Sequence, residues 1–311
     1  MTGAQRGEIL QNSMTYGLFT GAFIMHYGAE KVGILVIPAG PGNTERQINL
    51  MRDFGTNMLH VTPSYALYLA SVIYDKGFDP KRDFKLKRAY LGAEPYSEET
   101  RRKIEDMLGI DIYNCYGLTE MNGPGVGFEC PYKSGLHIWE DNFLMEIINP
   151  ETGEPLPDGE IGELVLTTLN REAMPLIRYR TRDLTRIIPE PCSCGRTHRR
   201  ITRILGRSDD MFIVKGVNIF PQQIEQVLMS TKGVAQNYQI VLESYDEMTV
   251  KVEIDRELFD GKIEKLIKLK EEIIDKIRSA TMVKPKVELL EPGTLPVSEG
   301  KAKRVIDNRT I

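Results

Sequence analysis

The sequence predicts an α/β fold in which parallel strands covered by helices lead into a β-rich subdomain and then into a small α+β unit. Three observations carry that expectation. Across residues 1–110, short apolar runs rich in β-branched residues alternate with amphipathic helical runs, the pattern of a parallel sheet with helices on its faces. From about residue 136 the pattern becomes strands separated by Asn-Pro, Thr-Gly and Pro-Asp-Gly turns. After GRSDDM (206–211), strands and helices mix again to the C-terminus. This division places one domain at 1–205 and a second at 206–311.

VGILVIPAG (32–40) is apolar, β-branched and followed by Pro and Gly, so it reads as a buried strand ending in a loop. TERQINLMRDF (44–54) sets Ile48, Met51 and Phe54 on one helical face. NMLHVTP (57–63) is a second strand and SYALYLASVIYDKG (64–77) a second amphipathic helix. KRAYLGAEP (87–95) makes a third strand with a turn. SEETRRKIEDMLG (97–109) is a helix capped by Ser97, acidic in its first turn and stopped by Gly109. IYNCYGLTE (112–120) follows as a strand and a Gly turn leading into a capped helix. In a parallel sheet, ligands bind just beyond the carboxyl ends of the strands, where LGAEP and NCYGLTE both fall. Beyond residue 210 the expected order is strand MFIVKG, helix PQQIEQVLMSTKG, strands YQIVLE and MTVKVEID, a long charged helix near 260–281, and strand KVELLEP.

With 311 residues, 41% hydrophobic and 27% charged, the chain can bury a sizeable core in two domains. Its net charge of −4 is spread along the sequence, so no electrostatic footprint for nucleic acid stands out. No apolar run reaches the length of a membrane span, and the first residues lack the layout of a secretory signal. A cytoplasmic protein with small-molecule partners, and neither nucleic acid nor membrane, is the expectation. Four cysteines do not make a disulfide scaffold, and Cys192-Ser193-Cys194 has the spacing of a metal or redox site.

A hydroxyl and a carboxylate at the mouth of a parallel sheet suit a phosphate with its divalent cation. Thr119 can donate to a phosphate oxygen while Glu120 offers a hard oxygen to Mg²⁺. The same pentapeptide, Tyr-Gly-Leu-Thr-Glu, is also a common structural turn. In YRTRD (179–183), Asp183 can accept from vicinal ribose hydroxyls or simply pair with Arg180 or Arg182. GRSDDMFIVKGVN places Arg207, Asp209 and a Lys-Gly turn at the joint between the domains, where a hinge would sit. Cys130, His137, Cys192 and Cys194 suit a closed tetrahedral Zn²⁺ site, with His198 an alternative fourth ligand. GRTHRRITRILGR carries five arginines, which are expected to face the anionic phosphates of a nucleotide or thiol cofactor.

NCYGLTE, GELVLTT, YRTRD, GRSDD with KGVN, and PVSEGK stand in the order and spacing of the adenylate-forming acyl-CoA synthetase superfamily. Within it, YGLFTGAFIMHYGAEKVG, PAGPGNTERQI, LGAEP, GLHIWED, RYRTRDLTRI and GRSDDMFIVKGVNIFPQQIE resemble the phenylacetate-CoA ligase family over essentially the whole chain. The resemblance implies a large adenylation domain followed by a mobile C-terminal domain. It also implies two half-reactions: a carboxylate attacks ATP to give an acyl-adenylate, then coenzyme A displaces AMP. Carried onto this sequence, Asn114 and the turn Gly92, Ala93, Glu94, Pro95 would hold adenine, with Tyr116 stacking against it and Gly117 beside it. Thr119 would touch phosphate, Glu120 would bind Mg²⁺, and Asp183 with Arg207 would hold the ribose. Asp209 would be the hinge and Gly216 would line the pantetheine path. Lys301 would bridge the carboxylate and the α-phosphate, a contribution on the order of 3 kcal/mol.

Members of this superfamily carry a Ser/Thr/Gly-rich phosphate loop upstream of the segment matching YGLFTG, and it is not found between Met1 and Tyr16. The expectation is a truncated adenylation domain, weak alone in adenylation and able to bind AMP. An exposed core edge would favour a homodimer. Another aryl acid, or a non-catalytic nucleotide-binding role, are the competing expectations.

Overall fold

The computed structural model describes residues 1–18, 20–258, 263–296 and 303–309. The chain divides into two compact units, Met1–Pro95 with Lys103–Ser208, and Tyr96–Arg102 with Asp209–Ile311.

The first unit opens with β1 (Ile9–Asn12), α1 (Gly21–Val32), β2 (Leu35–Ile37), α2 (Thr44–Phe54), β3 (Met58–Val61), α3 (Pro63–Asp75), α4 (Pro80–Asp83) and β4 (Arg88–Leu91). The chain then passes through α5 (Glu98–Leu108) to β5 (Asp111–Leu118), β6 (Gly123–Glu129) and β7 (Leu136–Ile138). A second group follows: β8 (Phe143–Ile148), β9 (Gly162–Thr168), β10 (Tyr179–Thr185), β11 (Ile187–Ile188), β12 (Arg200–Ile201) and β13 (Gly206–Arg207). The main sheet runs β11-β12-β7-β6-β5-β4-β3-β1-β2, and a smaller sheet runs β13-β10-β9-β8.

Strands β2, β1, β3, β4 and β5 are mutually parallel; from β6 onward the pairing turns antiparallel. That change explains the switch of sequence pattern, although it begins at Gly123 rather than near residue 136. Strand β1 has too few apolar residues to announce itself, since Gln11 and Asn12 are polar yet fully buried. Gln11 Nε2 donates to Gln47 Oε1 at 2.6 Å, Ser13 Oγ donates to the same oxygen at 3.0 Å, and Gln47 Nε2 returns to the Gly40 carbonyl. Each polar group in this interior chain thus has a partner, as burial requires. Beside it, Asn12 Nδ2 donates to the Ala22 carbonyl, so its Oδ1 accepts from His60 Nδ1 at 3.1 Å. Burial holds His60 neutral, its pKa falling to about 3.

The run 32–40 is shorter as a strand than its composition suggests. Val32 closes α1, Gly33 takes φ +88° as its cap, and only Leu35–Ile37 pair with β1. In α2, Ile48 and Met51 are buried as expected, whereas Phe54 stays half exposed.

The second unit contains a hairpin of β14 (Phe212–Val214) and β15 (Val217–Ile219), α6 (Pro221–Met229), β16 (Val234–Leu242), β17 (Met248–Ile254), α7 (Ile263–Thr281), β18 (Lys286–Leu290) and β19 (Val305–Asp307). MFIVKG is therefore half of a hairpin rather than a lone strand; Lys215 and Gly216 turn it with φ +53° and +76°. The sheet order is β18-β17-β16-β19. Leu269, Ile273 and Ile277 recur every fourth residue on α7 and meet Ile224, Leu228, Val250 and Val252 in one core.

Candidate active site

Strands β4 and β5 lie side by side with Leu91 opposite Asn114, so Gly92 and Cys115 come next to each other at the carboxyl end of the sheet. A Cβ at Gly92 would meet the Cys115 carbonyl oxygen at 2.6 Å, which is why this turn begins with glycine. Ala93 follows at φ +68° and, like Pro95, is exposed. The Glu94 carboxylate turns to α3, accepting from the Ser64 N–H at 3.1 Å and its hydroxyl at 2.7 Å. A carboxylate there complements the positive end of the helix.

On β5, the buried Asn114 donates its backbone N–H to Glu129 Oε2 at 2.7 Å. Cys115 is sealed behind the turn; burial pushes its thiol up to about 12, which leaves it inert. The strand continues through Gly117 to Leu118, and Thr119–Met121 form a single 3₁₀ turn where the pattern suggested an α-helix. Gly117 is obligatory by contact: a Cβ would fall 1.9 Å from the Gly123 carbonyl oxygen on β6. Thr119 and Glu120 are exposed at this mouth, and the Glu120 carbonyl accepts from Arg171 Nη1. Burial, then the nearby Glu120 charge, raises the Tyr179 phenol above its ordinary value.

The Tyr116 hydroxyl donates to Asp183 Oδ2 at 2.5 Å. Arg207 lies opposite Asp183 in the β10–β13 pairing, and its Nη1 reaches Asp183 Oδ1 at 3.4 Å and the Thr181 carbonyl at 3.3 Å. Burial and then the charge of Asp183 hold the Tyr116 phenol well above its usual range, so it remains a donor. Arg180 and Arg182, the other candidates to pair with Asp183, turn instead to Glu163. This fully buried carboxylate accepts from Arg180 Nε at 3.0 Å and Nη2 at 2.6 Å. The Arg182 N–H and the Ser208 hydroxyl point to Glu163 as well. A bulge between Arg180 and Leu184, with Arg182 at φ +67°, places Asp183 beside Tyr116.

Tyr116, Asp183 and Arg207 therefore come together where β5 meets the smaller sheet, with Asn114 two residues before Tyr116 on β5 and the exposed Thr119 and Glu120 just beyond it. Asp209 and Gly216 belong to the second unit. Lys301 lies outside the described residues.

Cys130, His137, Cys192 and Cys194 form a second cluster, with their ligand atoms all within 4.8 Å of one another. Cys130 and Cys192 Sγ are 3.7 Å apart, and Cys194 Sγ is 3.4 Å from His137 Nε2. Burial pushes the Cys130 thiol up to about 11; at Cys194 burial also raises the thiol, but hydrogen bonds from Arg196, Cys192 and Cys130 together bring it down to about 7. His198 does not join them through its ring, whose Nδ1 accepts from the Glu140 N–H.

The chain is 46% identical over 324 residues to the phenylacetate-coenzyme A ligase of Thermus thermophilus, covering 99% of this chain and 73% of that one. The chain belongs to the phenylacetate-coenzyme A ligase family. The Escherichia coli phenylacetate-coenzyme A ligase is 44% identical, covering 95% of this chain and 68% of its own length. Residues 13–170 match the family described as AMP-binding enzyme, and residues 216–309 match the AMP-binding enzyme C-terminal domain. A crystal structure of 2-hydroxyisobutyryl-CoA ligase in the postadenylation state superposes with a TM-score of 0.94 at 29% identity, covering 99% of this chain and 67% of that one. As a member of the phenylacetate-coenzyme A ligase family, the chain is an AMP-forming acid–CoA ligase by class, using ATP and coenzyme A.

Two carboxylates of this family member escaped the sequence reading. Glu163 sits in GELVLTT and Glu129 in ECPYKSG, both at buried strand positions. A charged residue at an inward position of a strand was the available signal. The arginine run also differs from expectation: Arg199 pairs with Glu140 at 2.7 Å, and the buried Arg200 donates to Ser134 and to the Glu190 carbonyl. Both guanidiniums are thus engaged by groups of the fold itself.

Proposed function

We propose that the chain ligates phenylacetate to coenzyme A through an acyl-adenylate held at the carboxyl ends of β4 and β5. The observation that carries this reading is the Tyr116–Asp183–Arg207 cluster beside exposed Thr119 and Glu120, in a chain 46% identical to a phenylacetate-coenzyme A ligase. A carboxylate oxygen of the acid bonds to the α-phosphorus of ATP as the bond to the pyrophosphate oxygen breaks. The sulfur of coenzyme A then bonds to the acyl carbon, AMP departs with the electron pair, and the thiol proton passes to solvent.

In this reading Asp183 accepts from the ribose hydroxyls, with Arg207 and Tyr116 fixing its two oxygens. Asn114, Gly117 and the Gly92–Pro95 turn line the adenine, and Thr119 donates to the α-phosphate. The exposed Glu120 carboxylate is a hard oxygen donor at the phosphate end and fits Mg²⁺, which supplies charge neutralisation when bound. Lys301 stabilises the charge developing in adenylation, Asp209 is the pivot before thioester formation, and Gly216 borders the pantetheine arm. Zinc held by the cysteine–histidine cluster would be structural, since four protein ligands leave no open position for chemistry. Among the described residues no helix is long and apolar enough to cross a membrane. Work in the cytoplasm and pairing as a homodimer, to which the half-exposed Leu35 on edge strand β2 would contribute, complete the reading.

The test is pyrophosphate release with phenylacetate against benzoate and 4-coumarate, alongside calorimetric titration with AMP. Phenylacetate should be preferred, and Lys301→Ala should abolish release while sparing thioester formation from supplied phenylacetyl-adenylate. Absence of both pyrophosphate release and AMP binding would overturn the proposal.

A further inference from the structure

Two separations within the cysteine–histidine cluster match those of an assembled metal site, and all four ligand atoms lie within 4.8 Å of one another. Zn–S bonds of about 2.3 Å and Zn–N bonds of about 2.0–2.1 Å at tetrahedral angles put sulfurs about 3.8 Å apart and sulfur about 3.5 Å from nitrogen. The separations found are 3.7 Å for Cys130–Cys192 and 3.4 Å for Cys194–His137. A disulfide would need about 2.0 Å.

The surroundings fit as well. His137 Nδ1 donates to the His198 carbonyl at 3.1 Å, which fixes the tautomer and leaves the Nε2 lone pair facing the thiols. A metal-binding histidine is held in this way by an outer acceptor. Ser134 Oγ approaches Cys192 Sγ at 3.7 Å, and the Gly195 N–H closes the Cys192–Cys194 turn on the Cys192 carbonyl. Three sulfurs and one nitrogen complete a tetrahedron with no open position, so the ion would be structural.

Its place in the sheet gives it a further consequence. Cys130 directly follows β6, whose last residue, Glu129, is buried and accepts the Asn114 N–H. Arg203, on the chain leading out of β12, approaches the same carboxylate at 3.8 Å. The four ligands thus tie the end of β6 to β7 and to the loop before β12, and Glu129 sits at that tie.

We propose that Cys130, His137, Cys192 and Cys194 bind one Zn²⁺ and that the ion positions Glu129, and through it Asn114, for nucleotide binding. The second half rests on the adenine-side reading of Asn114. Glu129 is a positioning residue: it acts through the β5 backbone and does not touch the nucleotide.

The experiment measures metal content and AMP affinity on the same purified chain. One zinc per chain is expected, lost in Cys194→Ser, and Co²⁺ loading should give the intense visible bands of a tetrahedral thiolate site. Substoichiometric metal that ignores Cys194→Ser would overturn the site. Stripping should weaken AMP binding at least fivefold, with recovery on adding ZnCl₂. Glu129→Gln should keep its zinc yet show the same weakening. Full zinc with unchanged AMP affinity in Glu129→Gln would overturn the coupling and leave the metal site standing. Hydrogen exchange at the Asn114 amide reads the coupling without nucleotide: it should speed up on stripping and in Glu129→Gln, and unchanged protection would refute it. AMP that binds to neither loaded nor stripped protein, with the exchange response intact, would fault the nucleotide reading alone.

Discussion

The Tyr116 hydroxyl and the Asp183 carboxylate, 67 residues apart in the chain, are joined by a hydrogen bond of 2.5 Å. This bond links the main sheet to the smaller one at the point where the nucleotide is proposed to sit. A hydrogen bond to a charged acceptor contributes about 2 kcal/mol. Tyr116→Phe should therefore lower unfolding free energy by about that amount in urea titrations. Asp183→Ala should also weaken AMP binding at least tenfold, because the ribose then loses its acceptor.

Glu163 gathers Arg180, the Arg182 N–H and the Ser208 hydroxyl around one buried carboxylate. Glu163→Gln removes the charge and converts an acceptor into a donor facing a guanidinium. A loss of about 2 kcal/mol in urea unfolding is expected, together with weaker AMP binding as the bulge presenting Asp183 relaxes. Unchanged AMP affinity would mean that the bulge holds its shape without Glu163.

Two glycines near the β5–β6 pairing should behave in opposite ways. Gly117→Ala drives a methyl into the backbone of Gly123 and Pro124, with 1.9 Å to the nearest atom. It should cost about 3 kcal/mol or prevent folding. Gly125→Ala meets only Ile24 Cγ2 at 3.7 Å, an ordinary contact, and should be close to neutral. Melting temperatures of the two variants check the contrast.

His60 gives stability a pH dependence of known direction. In the folded chain its pKa lies near 3, and the ordinary value is 6.5, so between these limits the unfolded state binds more protons. Stability from this group is present above pH 6.5 and is lost as pH falls, by about 2 kcal/mol at pH 5. His60→Asn places an amide nitrogen where Nδ1 donates to Asn12, without titrating. Urea midpoints at pH 5 and 7.5 should differ less in this variant than in the parent.

The alternation of strands and helices was legible because apolar periodicity reports burial directly, and NCYGLTE was legible as a strand end because its glycine interrupts that periodicity. Strand β1 was hidden because Gln11 and Asn12 reach the interior on hydrogen bonds, which leave no hydrophobic trace. The bond from Tyr116 to Asp183 was hidden for another reason. Sequence neighbours Arg180 and Arg182 looked like the obvious cations, yet the β-bulge turned both toward Glu163 and left Asp183 to residues far away. The cysteine–histidine grouping could be read from spacing, whereas Glu129 becomes meaningful only when β6 is laid beside β5.

The hydrogen-bonded chain from Gln11 through Gln47 to Ser13 bears on how the sheet assembles. Strand β1 comes first in the sequence but is flanked by β3 and β2, so it must find its slot between strands made after it. Apolar strands slide past one another at little cost, and a shift of one residue only exchanges one greasy face for another. Here a one-residue slip would leave the Gln11 amide and the Asn12 amide without partners in a dry interior, at a cost of several kcal/mol. A misaligned sheet would be less stable than the native one by that amount, so the polar interior fixes the register of β1.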